Sequence, residues 1–496
     1  MQHTRPALWL AALVLAAGCR VAAPTEPTVP ARLPASFGPP PETTTASATL
    51  VSTAPAPPTD TLSTGALPWR QFFADPALAG LIDTALRQNL DLRVAVQRVE
   101  AARAQLLARR GALLPSVSAV GSAGLDRFGR YTLNGVGNFD TNLSPNIDGQ
   151  QRIPGPLTPD FFVGLRSTWE VDLWGRLRSR RRAAQLRVLA SEQGRNLVTT
   201  SLVAEVARLY FELLTLDNQL AVLQKNSGLQ QKALGLMRIQ KRAGRATELA
   251  VQQFAAQALR TESLAFEVRQ RITETETSLN QLLGRYPQPI GRGPGLPQQA
   301  LPARLSTGLP ATALLRRPDV RQAELDLQAA RADVDAARAA FLPTLTLTPY
   351  VGLQAFRSSL LLDPASAAFG VVGGLAGPVL NRAALKADYG LAVAGNLETY
   401  YLYQKALQTG FREVVVGLQG LENFRAAAAL RQQEVDQLTK GVETANELYL
   451  AGYASYLEVI TAQRSVLEAE LSLAEARQAE LLQGVNLYRA LGGGWQ

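Results

Sequence analysis

"FFVGLRSTWEVDLWGRLR", residues 161–178, changes its period part-way along. Up to Leu173 the apolar side chains alternate. Phe161, Val163, Leu165, Trp169, Val171 and Leu173 fall on one face, with Ser167 the exception, and Arg166, Thr168, Glu170 and Asp172 fall on the other. A period of two is the mark of a β-strand with unlike faces. Proline then vanishes, with none between Pro159 and Pro287. Residues 177–243 therefore read as one helix of about 67 residues, about 100 Å long at 1.5 Å per residue. A helix that long exceeds an ordinary globular domain and points to coiled-coil packing.

The same sequence of elements occurs twice. Residues 89–115 align with 317–343 at an offset of 228, with 12 identities in 27 positions. Residues 243–284 align with 451–492 at an offset of 208, with 13 identities in 42. The chain is a tandem duplication, with a first repeat over 67–286, a linker over 287–310 and a second repeat over 311–496. Each half predicts helix, strand, loop, strand and then two long helices. The strands are expected at 114–125, 160–175, 342–356 and 367–381. In the third, Leu345, Leu347, Val351 and Leu353 face one way and Thr344, Thr346, Thr348 and Tyr350 the other; the first and last are weaker and glycine-rich. The second long helix is expected over 382–450, with return helices over 247–283 and 455–491. The hairpin turns fall at Ala243-Gly244 and Ala451-Gly452, where glycine relieves the strain of a helix end.

The chain opens with Arg5 before a short apolar run, residues 7–18, too short to span a bilayer and shaped like a signal-peptide core. That run ends at Cys19, the only cysteine of the chain. Ala16-Ala17-Gly18-Cys19 resembles a bacterial lipoprotein processing site, which implies removal of 1–18 and acylation of Cys19 (the palmitate type of modification), several chains being needed for a firm anchor. Residues 19–66, rich in Pro, Thr and Ala, read as an extended tether. The sole histidine, His3, lies in the removed segment. The mature protein is then left without imidazole or free thiol, which excludes Ser/His, Cys/His and His-based metal sites. No glycine-rich phosphate loop or acidic metal cluster is visible, so no cofactor, no metal and no enzyme activity are expected. The net charge of +9 is spread among interleaved acids, which argues against nucleic acid as a partner.

Four amphipathic strands cannot close a barrel, and an open sheet in lipid would leave backbone groups unpaired. Other copies must complete it. Two copies supply eight strands and three supply twelve, the latter with room for water and enough long helices for a hollow cylinder; strand arithmetic alone leaves dimer against trimer open. The stretches "PWRQFFADPALAGLIDTALRQNLDLRVAVQRVEAARA" (68–104), "STWEVDLWGRLR" (167–178) and "RRPDVRQAE" (316–324), with the two hairpin turns, resemble the bacterial outer membrane factors, the TolC-like outer-membrane efflux lipoproteins.

The resemblance implies an α+β fold: a membrane β-barrel, four strands per chain and twelve-stranded as a trimer, continued by a long periplasmic α-helical barrel. It implies a homotrimeric exit duct of a tripartite pump, partnered by a periplasmic adaptor and an inner-membrane proton-driven transporter, and exporting drugs or metals. Type I protein secretion is the competing duct reading, and a coiled-coil lipoprotein scaffold without a channel is the reading from another class. Residues 126–158 and 356–366 become extracellular loops, and Arg166, Glu170 and Asp172 line the lumen. Carried over by position, Gly244, Arg245, Ala246 and Thr247 form one adaptor-docking tip, and Gly452, Tyr453, Ala454 and Ser455 the other. Leu457, Glu458 and Thr461 occupy the places of the periplasmic aperture, with Tyr449 holding the hairpins shut. Glu458 is the sharpest expectation: threefold symmetry brings three carboxylates into a cation-attracting ring. The first hairpin has Ala250 at that place.

Overall fold

The computed structural model describes residues 63–302, 310–380 and 382–495. The expected signal peptide, Cys19, most of the tether and part of the linker lie outside the described residues. In chain order the elements are α1 (Trp69–Phe72), α2 (Pro76–Gln88), α3 (Leu90–Gly111), β1 (Ser116–Asp126), α4 (Leu133–Leu143), β2 (Thr158–Val171), α5 (Arg176–Arg242) and α6 (Glu248–Leu282). The second half follows with α7 (Pro310–Arg316), α8 (Pro318–Ala339), β3 (Thr344–Ala355), β4 (Ala367–Ala376), α9 (Ala383–Leu450) and α10 (Tyr456–Ala490). The long helices α5 and α9 have 67 and 68 residues, each within a residue or so of the expected bounds. Among the described residues, no helix is long and apolar enough to cross a membrane.

Contacts divide the chain into two units. One comprises Ala101–Val188 and Asp326–Thr399 of the described residues, and its centre is an antiparallel sheet in the order β1-β2-β3-β4. The register explains the alternation. Ala119, Leu165, Val351 and Phe369 stand abreast, as do Gly121, Val163, Leu353 and Ala367. On the opposite face Ser118, Arg166, Tyr350 and Gly370 stand abreast. The expected second strand, 160–175, ends at Val171 because Asp172 turns away to cap α5: it accepts from the backbone N–H of Leu177 at 3.0 Å and of Arg178 at 2.9 Å. The expected fourth strand, 367–381, ends at Ala376, close before Pro378, which has no N–H to extend the ladder. The segment expected to be a plain loop, 126–158, carries α4.

The other unit comprises Ser63–Glu100, Leu189–Leu325 and Tyr400–Trp495 of the described residues, and is helical. Its largest core gathers Phe72, Leu78, Ile82, Tyr210, Leu213, Leu279, Leu283, Val485 and Tyr488. Asp75 caps α2 by accepting from the N–H of Ala77 at 2.8 Å, with Pro76 at the first helical position, as the Asp-Pro pair predicts. The same buried carboxylate accepts from the hydroxyl of Tyr210 and from Gln299. Burial, reinforced by Asp75, holds the Tyr210 hydroxyl well above its ordinary pKa.

Candidate functional site

The two faces of the sheet differ as lipid and water differ. Val117, Val163, Leu165, Val351, Val371 and Leu375 are exposed on one face, and Phe369 there is 84% exposed. A soluble sheet buries its apolar face; this one leaves it bare. The other face carries short side chains with a few large ones laid over glycine. Phe162, only 4% exposed, covers the cross-strand pair Gly164 and Gly352. A Cβ on Gly164 would meet the Phe162 ring at 2.9 Å. Tyr350 packs edge-on against Phe162, ring centroids 6.1 Å apart, and lies over Gly370. The Arg166 guanidinium sits 5.5 Å from the centre of the Phe162 ring. Of the three expected lumen residues, Arg166 therefore stands on the polar face. Glu170, also on that face, is engaged by Arg176 at 2.6 and 2.7 Å, and Asp172 lies beyond the strand as a helix cap. Both carboxylates tie β2 to the start of α5.

The hairpin tips are built alike. Gly244 and Gly452 take φ of +72° and +83°. At each, the glycine N–H and the next N–H reach back to the last turn: Gly244 to Lys241 at 3.0 Å and Arg245 to Gln240 at 2.8 Å, Gly452 to Tyr449 at 3.1 Å and Tyr453 to Leu448 at 2.9 Å. That is a Schellman ending. Thr247 then caps α6, accepting from the N–H of Ala250 at 3.2 Å. In the second hairpin Ser455 and Glu458 form a capping box, with the Glu458 carboxylate accepting from the N–H of Ser455. The contrast of Glu458 with Ala250 is thus first a difference in helix capping. The Ser-x-x-Glu spacing of 455–458 was the signal for it.

Leu457, Glu458 and Thr461 are all exposed, while Val459 between them joins Leu234, Met237, Ala250 and Phe254 in the core near the tips. The three expected aperture residues therefore share the side of α10 that the chain itself does not cover. Tyr449 bonds across the hairpins, its hydroxyl donating to Gln240 and lying 3.7 Å from the Met237 sulfur. The first tip is also braced by an ion pair of Lys241 with Glu248, which the sequence reading missed. Further along the hairpins, a cavity of about 630 Å³ lies between α5, α9 and α10. Gln230 on its wall is 2% exposed, with neither amide atom hydrogen-bonded.

"RRPDVRQAE" has a structural meaning. Arg317 is buried and donates to the Ala490 carbonyl at 2.9 Å, with ion pairs to Asp319 at 2.7 Å and Glu413 at 2.8 Å. In the first repeat Asn89 holds the corresponding place and donates to the carbonyl of Leu282 at 2.9 Å. The offsets of 228 and 208 carry both donor and acceptor from one repeat into the other. Gly284 and Gly492, with φ of +66° and +82°, let the ends of α6 and α10 press onto the backbone of Gln88 and Arg316. Each repeat thus clasps the end of its return helix at the start of its strand-leading helix.

A sheet with an exposed apolar face, an opposite polar face and paired helical hairpins is the build of an outer-membrane channel protein. The family model for "Outer membrane efflux protein" matches residues 81–285 and 309–493, and the chain belongs to that family. The solvent efflux pump outer membrane protein SrpC of Pseudomonas putida is 31% identical over 427 residues, covering 86% of this chain and 87% of that one. The pyoverdine export outer membrane protein OpmQ of Pseudomonas putida is 33% identical over 440 residues, covering 86% and 88%. The probable outer membrane lipoprotein SilC of Salmonella typhimurium is 29% identical over 433 residues, with the same coverage. A membrane protein from Pseudomonas aeruginosa superposes with a TM-score of 0.78 at 28% identity over 89% of this chain and 99% of that one. The open state of the Neisseria gonorrhoeae MtrE outer membrane channel superposes with a TM-score of 0.75 at 27% identity, over 90% and 94%. The chain is a passive exit duct of a tripartite efflux system, located in the outer membrane and periplasm and working with adaptor and inner-membrane components.

Proposed function

We propose that three copies close their four-stranded sheets into a twelve-stranded barrel across the outer membrane, and that their long hairpins form the periplasmic part of the duct. The observation that carries this reading is the register. It sets an apolar face outward across all four strands and leaves β1 and β4 as two unpaired edges of opposite direction. Unpaired edges are not tolerated in lipid, and β1 of one copy beside β4 of the next restores an antiparallel ladder. Arg166 then lines the lumen, with Glu170 and Asp172 at its inner mouth.

Transport needs no cofactor. The exported class is small molecules, in line with relatives named for solvents and pyoverdine. The tips, Gly244 to Thr247 and Gly452 to Ser455, dock the adaptor, and Leu457, Glu458 and Thr461 frame the aperture. Opening is a population shift between two packings of the hairpins, with Tyr449 favouring the closed one. Acylation at Cys19 adds an anchor, in line with the lipoprotein name of SilC, and Cys19→Ser abolishes radiolabelled palmitate incorporation. The test of the duct is a heat-sensitive trimer on gels together with ion conductance in planar bilayers. A monomer without conductance overturns it, and a trimer without conductance leaves a scaffold.

A further inference from the structure

The helix α4, in the segment joining β1 to β2, is amphipathic the wrong way round. The side turned toward its own chain is polar: Gly135, Asn138 and Asn142 are partly covered. Asn142 fastens it, donating to the Ile153 carbonyl and accepting from the Ile153 N–H, both at 2.9 Å. Thr132 caps it, accepting from the N–H of Gly135 at 3.1 Å. The outer side carries Leu133, Val136, Phe139 and Leu143, one stripe at helical spacing and all exposed. The backbone is held by polar contacts while the apolar stripe is left bare, so the stripe is presented to something outside this protomer.

We propose that the apolar stripe of α4 packs on the β3–β4 loop of the neighbouring copy, around Leu362. The inference rests on the trimeric reading above. In that reading the free edge of β1 meets the free edge of the neighbour's β4. β1 runs toward its loop and ends at Asp126, and β4 leaves its loop at Ala367, so both loops stand at the same end of the sheet. The first connection of one copy therefore adjoins the second connection of the next, across a spacing of about 5 Å between paired strands. The eleven residues of α4, about 16 Å long, reach across that seam.

What waits on the far side matches. Leu362 is 81% exposed, in a loop tied to the first connection of its own chain by a bond from Arg357 to the Arg152 carbonyl at 3.2 Å. A lipid surface is the other conceivable cover, but the polar side of α4 bears Asp140 and neutral amides rather than the lysines and arginines of an interfacial helix.

The chain offers a clean background for the test, since Cys19 is its only cysteine. Leu133→Cys, Val136→Cys or Phe139→Cys is combined with Leu362→Cys in the full chain in native outer membranes, and a short bis-maleimide is added. The expected result is covalent dimers and trimers that survive boiling, for at least one pair and for none of the single variants. A parallel series pairs Ser118→Cys or Ser122→Cys with Ala368→Cys across the strand seam. Cross-links in that series alone overturn the α4 contact while leaving barrel closure standing. Absence of both, with a monomeric mass in detergent, overturns closure itself. As a second readout, Val136→Ser with Phe139→Ser lowers the temperature at which the oligomer dissociates in detergent, and an unchanged temperature counts against the contact.

Discussion

Glu458 has two roles assigned to it, and two substitutions separate them. As the third helical residue of α10 its carboxylate accepts from the N–H of Ser455, so Glu458→Ala removes a cap worth about 1 kcal/mol. A carboxylate in a first turn also gains about 0.3–1 kcal/mol from the helix dipole. Glu458→Gln keeps an acceptor at the same reach and loses only the charge, so its cost to the hairpin stays below about 1 kcal/mol. The ring reading predicts a different pattern in conductance. Three carboxylates each about 5 Å from an axial cation contribute about 0.8 kcal/mol apiece in water, reduced by about half at physiological salt. Together that is on the order of 1 kcal/mol, a five- to tenfold preference for monovalent cations at the constriction. The assay is the reversal potential across a planar bilayer under a potassium chloride gradient. Gln and Ala variants should both lose cation preference, and Ala should lower thermal stability more than Gln does. A Gln variant with the wild-type reversal potential refutes the ring and leaves Glu458 a cap.

The duplicated clasp supplies the next contrast. Arg317→Ala removes the arginine partner of Asp319 and the donor to the Ala490 carbonyl, leaves Glu413 with Arg489 alone, and should cost about 3 kcal/mol or more, whereas Asn89→Ala at the corresponding place should cost about 1–2 kcal/mol. Unfolding midpoints in detergent check the order, and the reverse order refutes it. Burial pushes the Tyr488 hydroxyl up to about 12, opposed only partly by a backbone bond at Gly494. The neutral form is thus favoured in the fold, so its contribution is whole below pH 10 and is lost as pH rises from 10 toward 12. Tyr488→Phe should flatten that alkaline decline in stability; an unchanged slope argues against the assignment. Tyr449→Phe removes the bond to Gln240 and should raise the open probability of single channels severalfold, by about 1 kcal/mol of lost closed-state packing.

The long helices were legible because the sequence marks them negatively, by the absence of proline over two long stretches, and positively by the glycine at each tip. The strands β2 and β3 were legible by alternation. Their partners β1 and β4 were weaker because glycine at 121, 124, 370, 373 and 374 leaves gaps in the pattern. Some of those gaps are filled from the next strand, as Tyr350 fills the space over Gly370, and no one-dimensional pattern records a side chain supplied from elsewhere. The helix α4 was hidden for a related reason. Its stripe is real, but two glycines and three asparagines in eleven residues give it a loop-like composition that reads as connection. Tyr449 was singled out from its place near the tip, yet its partner Gln240 is more than two hundred residues away and is set by how the hairpins pack.

Hydrophobic residues make up 47% of the chain, an ordinary figure that conceals two opposite arrangements. In the helical unit Phe72, Ile82, Leu213 and Leu279 are sealed inside, as water demands. In the sheet unit Val163, Val351 and Phe369 lie exposed on one face and Arg166 stands on the polar face with Phe162. The same physical rule yields both if the second unit meets a different solvent, since an apolar face is stabilised by hydrocarbon as well as by a core. Glu170 on Arg176 and Asp172 on the first N–H groups of α5 place charge-assisted bonds where the strand ends and the helix begins. A carboxylate there satisfies the open N–H groups of the helix start, which the apolar residues next to it cannot do. This accounts for two acidic residues set two apart at the end of an otherwise apolar alternation, and gives "STWEVDLWGRLR" its form: a strand that must stop, and a long helix that must start, within five residues.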